Sequence, residues 1–309
     1  MPEIQNKIIT IEEAAEIIPD GSNLAIGGFA ETNNPMSIVR QLIRMRKRHL
    51  ELSGMGDAQS AELLCGAGCV DKIRFSNYMA KDGRCPNFSR MVEQGKIQVE
   101  DYSHFAITNR FYAAAIGVPF MPVKVMLGSD MQTIQNIDRG NKIMEVEDPF
   151  SGEKCGIVPK LEPDFALIHV ARADQEGNCQ LYGITSSIEI IARAAKKVIV
   201  SAEEIVSTES IRETNEHTIL PSFFVDYVVH APYGAYPGGV YTYYDYDLEH
   251  TTMITRSGKT EKGMKEYYEE WIYGTKDEHA FLNKVGLTRL MELRADPYYG
   301  ISLKNRGKI

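Results

Sequence analysis

The sequence predicts an α/β fold, an open and mostly parallel sheet with helices on both faces, built as one domain over residues 1–309. Two observations carry this. Short apolar runs alternate with helical patterns along the whole chain, which is how a parallel sheet with crossover helices is written. One run, Asp164-Phe165-Ala166-Leu167-Ile168-His169-Val170, is almost entirely apolar, as a strand covered on both faces must be. No Gly/Ser/Pro stretch is long enough to link two separate domains.

Thr10-Ile11-Glu12-Glu13 is a capping box heading a helix that runs towards Ile18. Pro19-Asp20-Gly21 breaks it before the strand Asn23-Leu24-Ala25-Ile26, which empties into Gly27-Gly28-Phe29. Asn33-Asn34-Pro35 then opens a helix with apolar residues Ile38, Leu42 and Ile43 at helical spacing. Leu50 to Gly54 reads as a second strand ending in the glycine loop Gly54-Met55-Gly56. Pro86 to Gln94 and Ser103 to Ile116 read as helices stopped by Gly95 and Gly117. Val123 to Ser129 repeats the strand-then-glycine theme, and Asn141 to Pro159 reads as an excursion shaped like a hairpin.

Beyond it, Ile188 to Ala195 is a short helix, and Lys197 to Ser201 and Val225 to His230 are strands. A tyrosine-rich stretch follows (Tyr233, Tyr236, Tyr241, Tyr243, Tyr244, Tyr246), then helices over Glu261–Ile272 and Glu278–Met291. The C-terminal helices, about 261–309, are expected to pack back on the same domain.

Composition excludes several functions. Charged residues make up 25% and hydrophobic ones 43%, a globular profile. The net charge of −8 repels polyanions, and no basic stripe interleaved with aromatics offers a nucleic-acid surface. The dense basic cluster Arg44-Met45-Arg46-Lys47-Arg48 reads as a solvated helix end. No apolar stretch approaches the ~18 residues of a membrane helix, and Met1–Asn6 has no signal-peptide pattern. Cys65, Cys69, Cys85, Cys155 and Cys179 lack paired C-x-x-C spacing, so neither a metal nor a disulfide framework is expected. A reducing cytoplasm is.

Glycines without a Cβ let backbone approach a ligand, and a helix N-terminus aims free N–H groups at it. Gly27-Gly28 is open to that reading or to a plain strand-to-helix turn. Gly54-Met55-Gly56-Asp57-Ala58-Gln59 starts like a dinucleotide fingerprint but has Gln59 where the third glycine belongs. His169, in mid-strand, reads as a hydrogen-bonded core histidine, and Ala173 to Asn178 as a tight turn rather than a site for a nucleophilic Glu176.

The ordered set of segments resembles the A subunit of glutaconate-type CoA-transferases in the class I CoA-transferase family. It runs from Ile26-Gly27-Gly28-Phe29 through Gly95-Lys96-Ile97, Glu100-Asp101-Tyr102-Ser103 and Ala113-Ala114-Ala115, on to Gly117-Val118-Pro119-Phe120-Met121-Pro122 and Gly128-Ser129. It continues through Ala173-Asp174, Gly177-Asn178, Ala202-Glu203-Glu204-Ile205, Ala231-Pro232-Tyr233-Gly234-Ala235, Tyr244-Asp245-Tyr246-Asp247 and Gly286-Leu287-Thr288-Arg289-Leu290. The match covers nearly the whole chain. One departure is Tyr236 in Gly234-Ala235-Tyr236-Pro237, where many relatives carry histidine.

The resemblance implies transfer of CoA between a dicarboxylic or similar acyl-CoA and a free acid, with the coenzyme A thioester as substrate and no permanently bound cofactor. A homologous B-type subunit would supply the attacking glutamate from a Ser-Glu-Asn-Gly or similar segment, which this chain lacks. A hetero-oligomer of at least two A and two B subunits is implied, with the tyrosine stretch either at an interface or folded on its own C-terminal helices. Gly27, Gly28 and Phe29 would line the acyl or oxyanion region through backbone N–H groups. Asn33, Asn77, Ser89, His104, Gly128 and Ser129 are the other substrate-binding candidates, His104 being equally readable as a helix-start residue. The glycine loops at 27–28, 54–56 and 128 are expected to converge. A CoA-ester hydrolase or decarboxylase subunit is the alternative, followed by a non-catalytic ligand-binding protein.

Overall fold

Two β-strands far apart in sequence meet at the centre of the molecule. The computed structural model describes residues 6–78, 85–132, 137 and 141–303. In it, β2 (Asn23–Ile26) lies parallel to β9 (Phe165–Ala173), with Ile26 opposite Leu167. From β2 the sheet grows outward through β3 (Leu50–Gly54), β4 (Val70–Phe75) and β5 (Gln98–Asp101). From β9 it grows the other way through β11 (Lys197–Ile205), β13 (Tyr227–His230) and the two-residue edge β1 (Ile8–Ile9). Every pairing along this path is parallel. The short β10 (Cys179–Gln180) and β12 (Thr218–Leu220) add an antiparallel ledge beyond the end of β9.

Strand alternation divides the apolar residues between two cores. Leu24, Ile26 and Leu167 enter one and Ala25, Ile168 and Val170 the other. The first is covered by α1 (Ile11–Glu16), α2 (Met36–Arg44) and α3 (Ala58–Gly66), the second by α5 (His104–Ala115) and α6 (Ile188–Ala194), with α4 (Pro86–Glu93) packed outside α3. The capping box forms as expected: Glu13 N–H donates to Thr10 Oγ1 at 3.1 Å and Thr10 N–H to Glu13 Oε2 at 2.8 Å. Replacing Thr10 with alanine is expected to cost about 1 kcal/mol, read as a lower urea midpoint at unchanged slope.

Three expectations need correction. Val123–Ser129 is not a strand of the main sheet. The strand there is β6 (Phe120–Val123), in a separate antiparallel sheet with the hairpin β7 (Met144–Glu147) and β8 (Lys154–Pro159). Past Val123 the chain turns, with Met126 at φ 70° and Gly128 at φ 72°. The basic cluster is not simply solvated either. Arg44 Nε donates to Thr275 O at 3.1 Å, Lys47 Nζ to Ile18 O at 2.6 Å and Arg48 Nη1 to Ala67 O at 3.1 Å. These cations close helix-end carbonyls from neighbouring segments.

The tyrosine stretch, for which the sequence leaves both placements open, is largely internal. Tyr236 and Tyr244 are buried, and Tyr241 is the exposed member. Finally, Glu278–Met291 is two helices, α10 (Glu278–Val285) and α11 (Leu287–Leu293), because Gly286 sits at φ 93°. The remaining helices are α7 (Thr208–Glu213), α8 (Leu248–Gly258) and α9 (Glu261–Tyr267). The last runs into a π-helical turn whose Tyr268 hydroxyl donates to Leu63 O at 2.7 Å.

Candidate active site

The order of strands reverses between β2 and β9, so a crevice opens beyond their carboxyl ends, where open α/β sheets bind ligands. The Gly27–Phe29 loop occupies that place. A Cβ on Gly28 (φ 105°) would lie 2.7 Å from Thr32 O and 2.9 Å from Asn33 O, so no side chain fits. Ala30 and Asn33 are also held at positive φ, 51° and 57°. Non-glycine residues keep such angles where surrounding contacts enforce them, and such sites are often functional. The contacts are on hand: Ala30 N–H donates to Gly56 O at 2.8 Å, Asn33 N–H to Gly239 O at 3.0 Å and Gly239 N–H to Glu31 O at 2.7 Å.

The expected trio of N–H donors reduces to one. Gly27 N–H is spent on Leu167 O at 2.8 Å and Phe29 N–H on Thr32 O at 2.9 Å. Among the described residues, the Gly28 N–H has no acceptor. Phe29 instead offers a ring, 45% exposed, set against Gly56 so closely that a Cβ there would come within 2.8 Å of it. Asn33 is 3% exposed and its Oδ1 lacks a hydrogen-bond partner.

Asn77 is half-buried just past β4. His104 is exposed at the start of α5, which Ser103 caps through Ala106 N–H, and its Nδ1 lies 3.0 Å from the hydroxyl of Ser76. These two therefore share the carboxyl end of the sheet. Ser89 does not join them: it is an exposed residue of α4, whose neighbours in the fold are α3 and α8. The third glycine loop follows β6 of the small sheet rather than a strand of the main one. Gly128 and Ser129 are exposed beyond the small sheet, and the Ser129 hydroxyl donates to Met126 O at 2.7 Å.

Asp57 is the residue that sequence reasoning misses. It holds the N-cap position of α3 yet makes no capping bond. Its carboxyl turns back over Gly54, where an added Cβ would meet Asp57 Oδ1 at 2.1 Å and the Tyr78 hydroxyl at 2.7 Å. Asp57 is 1% and Tyr78 6% exposed, and neither makes a side-chain hydrogen bond of normal geometry. Burial pushes the Asp57 carboxyl up to about 7, opposed only in part by the nearby N–H groups of Asp57, Gly56 and Met55. The available signal is an acidic residue directly after Gly-Met-Gly, which the incomplete fingerprint masks.

Two buried networks stiffen the crevice from behind. His169 bonds Ser201 Oγ at 2.8 Å through Nδ1 and Glu203 Oε1 at 2.7 Å through Nε2, a core histidine as the sequence suggested. Glu203 also accepts from Tyr233 N–H at 2.7 Å and the Tyr244 hydroxyl at 2.6 Å. The Tyr236 hydroxyl donates to Asp247 Oδ2 at 2.8 Å, where Arg289 Nε also donates at 2.8 Å. Burial opposes ionisation there, but these bonds hold the Asp247 carboxyl down at about 2, while burial pushes the neighbouring His250 down to about 4. Asp174 Oδ1 accepts from both Glu176 and Asn178 N–H groups, at 3.0 and 2.9 Å, which is the expected tight turn.

A parallel sheet with a strained, substituent-free glycine loop at its switch point defines an α/β protein with a ligand crevice beyond the carboxyl ends of β2 and β9. The coenzyme A transferase family model matches residues 8–231, and the chain belongs to that family. The A subunit of glutaconate CoA-transferase from Acidaminococcus fermentans is 34% identical, over 96% of this chain and 97% of its own length. The crystal structure of that transferase superposes with a TM-score of 0.88, covering 97% of this chain and 99% of the other. The A subunit of 3-oxoadipate CoA-transferase from Pseudomonas knackmussii is 30% identical over 90% of this chain and 98% of its own. The decarboxylase AibA/AibB superposes with a TM-score of 0.70 at 32% identity, over 91% of this chain and 98% of the other.

Proposed function

We propose that this chain is the A-type subunit of a two-subunit CoA-transferase moving CoA between a dicarboxylic acyl-CoA and a free carboxylic acid. The observation that carries the reading is the unspent Gly28 N–H in a loop that excludes any side chain at the switch point. Such a donor stabilises charge developing on a thioester carbonyl oxygen. The partner's glutamate would attack that carbon and expel the CoA thiolate, giving a mixed anhydride. The thiolate then attacks the glutamyl carbonyl, releasing the first acid and leaving a glutamyl-CoA thioester that the second acid takes up by the reverse steps. This chain's part is to hold the acyl group, with Phe29 and Asn33 beside Gly28 and with Asn77 and His104 at the same sheet end.

The chain is tested by producing it with the product of the neighbouring gene and assaying acyl exchange. Activity should require both, in an assembly of at least two copies of each, and full transfer by this chain alone sinks the division of labour. An apolar groove of about 980 Å³ lined by residues including Phe105, Phe120, Val146 and the almost wholly exposed Phe150 supports self-association when the partner is missing. The five cysteines are buried and unpaired, which suits a reducing cytoplasm, and no helix among the described residues is long and apolar enough to cross a membrane.

Likeness to AibA/AibB favours decarboxylation as a second reading. Release of CO₂ without exchange between acids would select it. On either reading, Gly28→Ala should lower turnover in the complex roughly a hundredfold, because a shift near 1 Å at a positioning loop has that effect. The same variant should lose about 1–3 kcal/mol of stability from the strained backbone, and normal turnover would remove this loop from the chemistry.

A further inference from the structure

The glycine loop leans on a second loop, Gly54 to Gly56, which is held in turn by one buried carboxyl. Gly56 meets the first loop twice, accepting Ala30 N–H at 2.8 Å and carrying the Phe29 ring on its bare face. Met55 Sδ accepts from the Thr108 hydroxyl of α5 at 3.0 Å. Next comes Asp57, whose carboxyl, with the Tyr78 hydroxyl, fills the space that a Gly54 Cβ would need. Gly54 is not at a positive φ, so what excludes a side chain there is the seated carboxyl.

No cation among the described residues compensates a charge on Asp57. Both of its carboxyl oxygens and the Tyr78 hydroxyl lack hydrogen-bond partners. The titratable groups around it are Tyr78 after β4, Cys65 of α3 with Glu62 beside it, and Cys85 at the N-cap of α4, all neutral or acidic. A buried carboxylate without a counter-charge is costly. Burial therefore keeps the proton on Asp57 up to about pH 7, against the partial opposition of the N–H groups of Asp57, Gly56 and Met55.

Once ionised, this side chain has a second place to go. Asp57 stands at the N-cap of α3 without capping it, and the free N–H groups of a helix's first turn favour an anion. Thr10, Ser103 and Ser207, which do cap their helices, hold ψ at 166°, 152° and 153°, and Asp247 holds it at 97°. Asp57 is at ψ 53°. Capping thus requires a turn about ψ, and α3 is fixed in the core by Ala58, Ala61 and Leu64, each 0% exposed. The part free to move is Gly54 to Gly56. We propose that Asp57 is a positioning residue of the acyl site, which as the neutral acid over Gly54 keeps Gly56 on Phe29 and Ala30 and as the carboxylate caps α3 and withdraws that wall. The inference rests on the CoA-transferase reading for what the wall holds.

The test uses the complex with its B-type partner and two probes. Glutaryl-CoA with acetate reports exchange, and the thioether S-(4-carboxybutyl)-CoA, which cannot transfer its chain, reports binding by calorimetry. In the parent, kcat/KM for the acyl-CoA should fall roughly fiftyfold from pH 7 to pH 9, as the neutral fraction of a group titrating at about 7 does. Asp57→Asn cannot ionise and should lack this alkaline limb. Heats in buffers of different ionisation enthalpy should show the parent taking up about one proton per site when it binds the thioether at pH 8, and Asp57→Asn none. Gly54→Ala, whose Cβ takes the seat of the carboxyl, should bind the thioether about tenfold more weakly than the parent at pH 6. An alkaline limb or proton uptake that persists in Asp57→Asn overturns the assignment, as does parental affinity in Gly54→Ala at pH 6. Proton uptake confined to the parent in a complex that exchanges no acyl groups supports the positioning role while sinking the transferase reading.

Discussion

Replacing Glu278 with alanine is expected to destabilise the chain by about 3–5 kcal/mol, because it leaves a guanidinium buried without its counter-ion. Arg40 is 1% exposed in the middle of α2, and Glu278, the first residue of α10, is 7% exposed. Arg40 Nε contacts Glu278 Oε1 at 3.1 Å and Oε2 at 3.0 Å, and Nη2 closes on Oε1 as well. Arg44 Nη1 stands 3.6 Å from Oε2, and the Arg40 guanidinium lies 4.1 Å from the centre of the Phe281 ring. Its Nη1 donates to Tyr236 O at 2.5 Å, so one side chain ties α2, the tyrosine stretch and the C-terminal helices together. Urea unfolding at neutral pH measures the loss. The double change Arg40→Met with Glu278→Leu should recover most of it, since a buried pair replaced by apolar residues often costs little. A single variant that loses less than about 1 kcal/mol would mean that water reaches Arg40 once the carboxylate is gone.

That ion pair also shows where sequence reading stops. Arg40 and Glu278 are 238 positions apart, and nothing local distinguishes either from a surface charge. What is legible is what local chemistry determines. Thr10 and Glu13 can be read as a capping box because both halves lie within one turn, and Gly27-Gly28 as an open loop because glycines directly follow an apolar run. The alternation of strands and helices points to the parallel sheet, and the apolar run before Gly27 puts that glycine loop at a strand end.

Neighbours distant in sequence decide the rest. Arg44, Lys47 and Arg48 read as solvated because the carbonyls they meet belong to segments as far off as Thr275. Gly27 looks as available as Gly28 in sequence, yet Leu167 O takes up its N–H group, while Phe29 N–H folds back locally on Thr32 O. Gly128 repeats the theme of Gly27 and Gly56 but follows a strand of another sheet. Tyr236, the departure from the histidine of many relatives, donates its hydroxyl to Asp247 at the N-cap of α8, so it braces that helix.

Asp57 is the strongest case of a residue whose properties come from its surroundings, and its replacement should raise stability. In an unfolded chain this carboxyl titrates near 3.8, whereas burial under Gly54 and Tyr78 moves it to about 7 in the folded one. Between those values the folded state keeps a proton that the unfolded state has released. Stability therefore falls as pH rises through this window, and the whole cost is present above about pH 7. A shift of about three pKa units corresponds to roughly 4 kcal/mol at most. The amide introduced by Asp57→Asn has nearly the same shape as the carboxyl and cannot ionise. The variant should thus be more stable than the parent by roughly 2–4 kcal/mol at pH 8 and near parity at pH 4. Denaturant unfolding of both proteins at half-unit steps between those limits checks it. A difference that stays constant with pH would show that Asp57 keeps an ordinary titration, with water or a backbone N–H satisfying its carboxylate. A difference that grows with pH and is abolished by a bound acyl-CoA would tie the same buried charge to occupancy of the crevice beside Gly28.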